Sequence, residues 1–264
     1  MKKEPLYVIK VGGNVIENPE MLQPFLKAFS QLQGYKLLVH GGGKVATALA
    51  SQLGYPTQMV EGRRMTDDNM LRVVTMTYGG LVNKSIVAQL QSLGCNALGM
   101  TGADGNLMLS VKRPLSGGHD YGWVGDPVQV NAPLLTALLV NQQVPVIAPL
   151  THDGKGNLLN TNADTMANTL AGALAPVHDV HLVYAFELNG VMEDLNDPSS
   201  LIPKIDRPGY QALKEKGSIH SGMIPKLDNA FDAIDKGASS VRIINYQSIN
   251  QLNNEEYNQY TIVC

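Results

Sequence analysis

The chain of 264 residues contains 44% hydrophobic and only 16% charged residues, a composition that excludes a disordered, highly charged polypeptide and can supply a core. Its formal net charge of −3 argues against nucleic-acid binding through phosphate neutralisation, and no apolar stretch approaches the ~18–20 residues of a membrane span. The two cysteines, Cys95 and Cys264, cannot form a disulfide framework, and no apolar leader precedes the first strand-like run. We therefore expect a cytoplasmic protein of one large domain or two associated lobes.

Strand-like runs, glycine turns and helical stretches alternate through the first part of the chain. Apolar runs predict strands at 6–11, 36–39, 95–100 and 144–148. Apolar residues at helical spacing predict helices at 20–33, 44–53, 67–93 (one long helix or a pair) and 131–141. The glycine-rich stretch 107–130, which contains Trp123, predicts antiparallel hairpins. This alternation indicates the α/β class, with a mostly parallel sheet that helices cover on both faces.

A second lobe is predicted to begin near Ala175 and Pro176. The same patterns predict strands at 179–184 and 240–244, helices at 208–216 and 222–236, a polar loop at 250–258 and a last edge strand at 260–263. The predicted division is thus an N-terminal lobe of residues 1–175 and a C-terminal lobe of residues 176–264 within one continuous domain.

Two glycine loops follow directly on predicted strands, one at Lys10-Val11-Gly12-Gly13 and one at His40-Gly41-Gly42-Gly43. Ligands bind beyond the carboxyl ends of parallel strands, and glycine lets backbone amides approach an anion at a helix N-terminus. A single loop of this kind favours a simple tight turn, whereas two in succession favour a binding site. Neither loop has the Ser or Thr that a Walker A lysine requires next to it, so a different phosphate-binding design is indicated.

Two lysines have unusual positions. Lys10 lies near the end of an apolar strand, where it either snorkels to solvent or serves a function. Lys226 follows the sequence Ser221-Gly222-Met223 in the first turn of a predicted helix, an end whose dipole favours anions. A lysine there is better explained if it meets a phosphate.

Polar side chains at two further places leave two interpretations open. Residues 160–164 (Asn-Thr-Asn-Ala-Asp) precede an apolar helix, so they either cap that helix or bind a substrate carboxylate or amide. Arg63 and Arg64 are either an ordinary surface pair or a clamp on a substrate carboxylate.

The chain resembles the amino-acid kinase family from Lys10 to about Asn245. The order and combined spacing of several segments carry this resemblance: Lys10–Gly13, Val39–Gly43, Glu61–Thr66, Gly79–Lys84, Gly102–Gly105, Val124–Gly125, Asn160–Asp164 and Ser221–Lys226. The resemblance implies a three-layer αβα sandwich with a mostly parallel central sheet, the carbamate kinase-like fold. It also implies that the N-terminal lobe binds an acylated amino acid and dimerises, while the C-terminal lobe binds ATP.

The activity that the resemblance implies is ATP-dependent phosphorylation of the γ-carboxylate of N-acetyl-L-glutamate, in arginine biosynthesis. N-succinyl-L-glutamate is an open alternative substrate, because no motif in the sequence indicates which acyl group is bound. A non-catalytic amino-acid-binding regulator of the same fold is a third possibility, although such a protein is expected to lack one of Lys10, Asp164 and Lys226. Arginine-inhibited relatives add an N-terminal helix before the first strand, so we expect a homodimer that is insensitive to arginine, with neither nucleic-acid nor membrane partners.

The resemblance also implies roles for individual residues. Lys10 and Lys226 would flank the transferring phosphoryl group, and Asp164 would hold both lysines in place. The predicted substrate-binding residues are Gly42, Gly43, Arg64, Asn160 and Asn162. The predicted phosphate- and ATP-binding residues are Gly12, Gly13, Gly190, Ser221, Gly222 and Met223. Mg²⁺ would be held through the ATP phosphates rather than by protein ligands.

Overall fold

The computed structural model describes residues 3–60, 63–115, 117–194, 197–217, 219 and 223–264. Contacts divide the chain into two compact units: a terminal unit, Met1–Leu37 with Ala167–Cys264, and a central unit, Leu38–Met166. This division differs from the predicted boundary after residue 175, because the first strand groups with the C-terminal part of the chain. The predicted functions of the lobes remain predictions.

The strands begin and end close to the predicted positions. In chain order they are β1 (Pro5–Val11), β2 (Tyr35–His40), β3 (Met59–Val60), β4 (Arg63–Arg64), β5 (Ala97–Met100), β6 (Met108–Lys112), β7 (Gly125–Val130), β8 (Val144–Ile147), β9 (Leu150–His152), β10 (Leu158–Asn160), β11 (Asp179–Phe186), β12 (Lys204–Ile205), β13 (Ser240–Asn245) and β14 (Tyr260–Val263). The prediction missed the short strands β3, β4, β9, β10 and β12, since two or three residues show no periodicity.

The helices also follow the predicted order, apart from a short first helix that was not predicted. They are α1 (Gly13–Glu17), α2 (Pro19–Gln31), α3 (Gly43–Gln52), α4 (Asp68–Val74), α5 (Asn83–Ser92), α6 (Ala132–Val140), α7 (Ala163–Leu174), α8 (Arg207–Glu215) and α9 (Ile224–Asp235). A π-helix, Thr75–Val82, joins α4 to α5, so the predicted long helix at 67–93 changes its winding in the middle. Residues Tyr246–Asn253 form a 3₁₀-helix, where the prediction placed part of a loop.

The terminal unit contains strands in the order β12-β14-β13-β11-β1. β1 pairs with β11 and β11 with β13, both in parallel, while β14 runs antiparallel to β13. The prediction that residues 260–263 form an edge strand is wrong, because Lys204 and Ile205 pair with Ile262 and Val263 on the outer side of β14.

The central unit contains residues 38–40 of β2 together with β8 and β5. These strands pair in the order β2-β8-β5 and in parallel, with β5 at the edge. A second sheet has the order β10-β9-β6-β7, and its antiparallel β6–β7 pair confirms the predicted hairpin at 107–130. A core cluster that includes Ala46 and Ala50 of α3, Val73 of α4 and Tyr78 of the π-helix packs beside the second sheet's Leu150. Parallel strands followed by helices confirm the α/β class.

None of the helices in the described ranges combines the length and the apolar character that crossing a bilayer would demand.

Candidate functional site

The second glycine loop forms the start of a helix in the central unit. β2 ends at His40, Gly42 is the N-cap of α3 with a φ of 155°, and Gly43 is the first helical residue. A Cβ at Gly42 would lie 3.0 Å from the ring of Tyr78, so the close approach of that ring requires glycine. The loop therefore presents backbone amides at a helix N-terminus, which favours anions.

Arg64 is buried beside this loop, with 8% of its surface exposed. Its Nη2 donates to the carbonyl oxygen of Gly43 at 2.7 Å and to Thr47 Oγ1 at 2.8 Å, and its Nη1 donates to Thr57 Oγ1 at 3.3 Å. The surface-pair interpretation is therefore wrong for Arg64. Its fixed guanidinium fork holds the start of α3 and brings a permanent positive charge next to the glycine amides.

Asn160 and its neighbours form a further part of the same site. Asn160 Nδ2 donates to Thr66 Oγ1 at 3.0 Å, and Thr161 shares a hydrogen bond with Thr151 at 2.9 Å. Asn162 Oδ1 accepts from the backbone N–H of Thr165 at 3.0 Å, which is the capping interaction at the start of α7. Of the two open interpretations of residues 160–164, helix capping therefore applies to Asn162 and does not apply to Asn160.

These side chains line one cavity of about 170 Å³ in the central unit. All five predicted substrate-binding residues contribute to it: Gly42, Gly43, Arg64, Asn160 and Asn162. The cavity is smaller than the ~300 Å³ at which drug-sized pockets begin, so it suits a small metabolite. An anion with hydrogen-bonding groups matches its lining of amides, two guanidinium groups and carboxamides.

Sequence reasoning missed three residues of this lining: Met59, Tyr78 and Pro149. Burial raises the pKa of Tyr78, and the charge and hydrogen bond of Arg64 only partly oppose this, so the phenol stays protonated at neutral pH and can donate. Tyr78 lies within the π-helix, a feature frequent at functional sites. In the sequence, a tyrosine before Gly79 and Gly80 is only a weak signal of a site residue, because a π-helix has no sequence periodicity of its own.

The two predicted catalytic lysines lie in the terminal unit. Lys10 pairs in register with Tyr184 of β11, and Lys226, the third residue of α9, holds its Nζ 4.5 Å from the centroid of the Phe186 ring. Tyr184 and Phe186 are two residues apart on one strand, so they project from the same face of the sheet as Lys10. Both cations therefore lie on one face, and the Phe186 ring holds one of them through a cation–π contact.

The other predicted phosphate-binding residues have structural contacts of their own. The Gly12 amide donates to the carbonyl oxygen of Ala185 at 3.3 Å, and Gly13 begins α1. A Cβ at Gly190 would lie 2.4 Å from Thr261 Oγ1, so close packing against β14 explains that glycine. Met223 is the N-cap of α9. Ser221 and Gly222 lie outside the described residues.

Asp164, the third predicted catalytic residue, is the second residue of α7 in the central unit and is partly buried. Its predicted contact with the lysines remains a prediction. Within the described ranges, no group of three or more His, Cys, Asp or Glu side chains lies where it could hold a metal ion.

The chain belongs to the amino acid kinase family, whose model matches residues 5–245. A relative from Cytophaga hutchinsonii, named acetylglutamate kinase, is 57% identical over 252 residues, which cover 96% of each chain.

Solved structures show the same fold at low sequence identity. The carbamate kinase of Giardia lamblia bound to AMP-PNP matches with a TM-score of 0.70 at 14% identity and covers 99% of both chains. The N-acetylglutamate synthase of Neisseria gonorrhoeae matches with a TM-score of 0.82 at 20% identity, and the present chain spans 60% of that protein's length. These likenesses confirm the predicted α/β fold with its mostly parallel sheet.

Proposed function

We propose that this protein transfers the γ-phosphoryl group of ATP to the γ-carboxylate of N-acetyl-L-glutamate, a cytoplasmic step towards arginine. The observation that carries this proposal is the cavity of the central unit, where the Gly42 and Gly43 loop, Arg64 and Asn160 meet. Family membership and the 57% identity to a protein named acetylglutamate kinase support the same reaction. ATP is the co-substrate that a kinase of this family uses.

The chemistry fits the residues of this chain. A carboxylate nucleophile is already ionised at neutral pH, so phosphoryl transfer requires positioning and charge stabilisation rather than a general base. In this proposal the Gly42 and Gly43 amides orient the reacting carboxylate, and Arg64 and Asn160 bind the α-carboxylate. Lys10 and Lys226 stabilise the charge of the transferring group, and Asp164 orients both lysines.

The proposal assigns Mg²⁺ to the phosphate oxygens of ATP, where it would neutralise part of their charge. The donor set of the candidate residues fits this assignment, because lysine ammonium groups and backbone amides bind phosphate and do not ligate a cation. Nucleotide phosphates in this proposal contact Gly12, Gly13, Gly190 and the start of α9 with Met223.

Arg63 favours a second candidate substrate, N-succinyl-L-glutamate. Both Arg63 and Arg64 line the cavity, and a succinyl group adds a carboxylate that the acetyl group lacks. A guanidinium pairs well with such a carboxylate.

The test of the proposed function is ADP release from ATP and Mg²⁺ with each acylated glutamate, and with free glutamate as control. Saturable turnover with N-acetyl-L-glutamate supports the proposal, and a higher kcat/KM with N-succinyl-L-glutamate moves it to the second candidate. Binding of either compound without ADP release would instead support a non-catalytic regulator.

Replacing Arg64 by lysine is expected to raise the KM for the acylated glutamate by about 10- to 100-fold, because an ammonium cannot reproduce the planar fork that spans Gly43, Thr47 and Thr57. Initial rates at varied substrate concentration measure this. Arg113→Lys is the matched control: Arg113 pairs with Asp126 away from the cavity lining. An unchanged KM in Arg64→Lys would remove Arg64 from the substrate site.

We also propose a homodimer that forms through the edge of the central unit. Leu98 of the edge strand β5, Leu93 after α5, and Met76 and Leu81 of the π-helix are exposed apolar side chains. Residues five apart lie about one turn apart in a π-helix, so Met76 and Leu81 share a face. Exposed apolar side chains together with an edge strand are typical of an interaction surface.

Light scattering is expected to give twice the 28.5 kDa chain mass, and Leu81→Glu is expected to give the monomer, since a buried unpaired carboxylate opposes association. The control is Val177→Glu, an equally simple change at an exposed apolar residue of the terminal unit. A hexamer, or a dimer that tolerates Leu81→Glu, would contradict this proposal.

A further inference from the structure

His40 is a buried histidine that the proposed chemistry does not use. It is the last residue of β2, it has no exposed surface, and it immediately precedes the glycine loop that lines the cavity. Its Nδ1 lies 2.7 Å from the carbonyl oxygen of Gly41, and its Nε2 lies 3.0 Å from Nδ2 of Asn83. The imidazole thus connects the loop to the first residue of α5.

Asn83 determines which imidazole nitrogen carries the proton. Its Nδ2 also donates to the carbonyl oxygen of Val146 at 2.9 Å, so the amide nitrogen, and not the amide oxygen, must face both partners. Nε2 of His40 is therefore an acceptor, and the Nδ1–H donates to Gly41. Burial lowers the pKa of His40 to about 4, which keeps this neutral tautomer at physiological pH.

A fixed Gly41 carbonyl also fixes the amide of Gly42. The two groups belong to one planar trans peptide, in which C=O and N–H point in opposite directions. Glycines flank this peptide on both sides, and glycine backbones offer little resistance to a peptide flip. Within the described chain, no backbone acceptor takes the amide of Gly42 or Gly43.

We propose that His40 is a positioning residue, held by Asn83, that fixes the Gly41–Gly42 peptide so that the Gly42 amide points at the reacting carboxylate. The proposal rests on the proposed function, because it is the phosphoryl acceptor that this amide orients. Steric room supports the arrangement: a Cβ at Gly99 would lie 2.2 Å from Asn83 Oδ1, so Gly99 leaves the space in which Asn83 reaches His40.

Two substitutions separate the bonds of the imidazole. An asparagine amide reaches the place of Nδ1, so His40→Asn keeps a donor for Gly41. A glutamine amide extends towards the place of Nε2, so His40→Gln keeps contact with Asn83 but loses the bond to Gly41. His40→Gln is expected to lower kcat by about 100-fold, because one aligned donor is lost, and to change the KM for ATP much less. His40→Asn is expected to show a smaller loss of kcat.

Thermal unfolding of both variants controls for stability. If His40 had only a structural role, the two substitutions would lower the stability by similar amounts. The matched control is His152→Gln, since His152 also ends a strand and uses Nδ1 locally, accepting from Gly154 N–H, but does not line the cavity. Equal kcat losses in His40→Asn and His40→Gln, or no loss in His40→Gln, would overturn the proposal.

The ¹⁵N–¹H resonance of Gly42 tests the inference without turnover. One sharp signal is expected in the wild type and in His40→Asn, with a shifted or exchange-broadened signal in His40→Gln. A wild type that releases no ADP would refute the proposed function, whereas an unaltered Gly42 signal in His40→Gln would refute the role of His40.

Discussion

Replacing Lys10 or Lys226 by alanine is expected to lower kcat for ADP release by about 1,000-fold, because each ammonium would stabilise charge that develops only in the transition state. The register of β1 with β11 and the contact of Lys226 with Phe186 put both cations on one face of the terminal unit. Neither lysine is part of the core, so the thermal unfolding temperature is expected to change little. Single-turnover kinetics with saturating ATP measure the chemical step itself.

A third lysine of the same unit provides the control. Lys36 is buried, and its Nζ donates to the carbonyl oxygens of Phe29, Ser30 and Leu32 at the end of α2. Lys36→Met removes the ammonium donor from all three carbonyls, so it is expected to lower the free energy of unfolding by about 2 kcal/mol or more while keeping kcat. Near wild-type turnover in both Lys10→Ala and Lys226→Ala would remove the proposed roles.

The contrast between these lysines shows which residue roles could be predicted from the sequence and which could not. A lysine at a strand end beside two glycines, or in the first turn of a helix, conflicts with local preferences, and such conflicts can be seen in the sequence. Lys36 also lies in an apolar strand, yet its purpose depends on the carbonyls that end α2. Only the fold brings these carbonyls to it.

The same reasoning applies to the cavity. Glycines after strands, the arginine pair and the polar run before α7 all carried a local signal, and the five predicted substrate-binding residues do meet. Tyr78 reaches the cavity through π-winding, and β9 with β10 brings Asn160 to Thr66 through strands of three residues. The positions of Tyr78 and Asn160 in the cavity both depend on tertiary pairing and not on the periodicity of apolar residues in the sequence.

Gly122 is the position at which one added methyl group is expected to cost the most stability. Its φ is +69°, and a Cβ there would lie 2.2 Å from the carbonyl oxygen of Thr66. That oxygen accepts from the backbone N–H of Trp123 at 2.6 Å, and the Trp123 carbonyl accepts from the Asn160 N–H at 2.8 Å. Gly122 thus belongs to the short ladder that joins Thr66 to the cavity wall.

Gly122→Ala is expected to lower the free energy of unfolding by about 2–4 kcal/mol, the sum of a left-handed backbone and a backbone clash, and the melting temperature by about 5–10 °C. Gly118→Ala is the matched control, since Gly118 has a φ of +79° but no heavy atom of the described residues lies within 4 Å of the added Cβ. It bears the conformational cost alone, about 1 kcal/mol. Because the clash displaces the strand that holds Asn160, Gly122→Ala should also raise the KM for the acylated glutamate, whereas Gly118→Ala should not. Equal melting temperatures for the two variants would mean that the hydrogen-bonded ladder at Thr66 shifts at little energetic cost and does not hold the cavity wall.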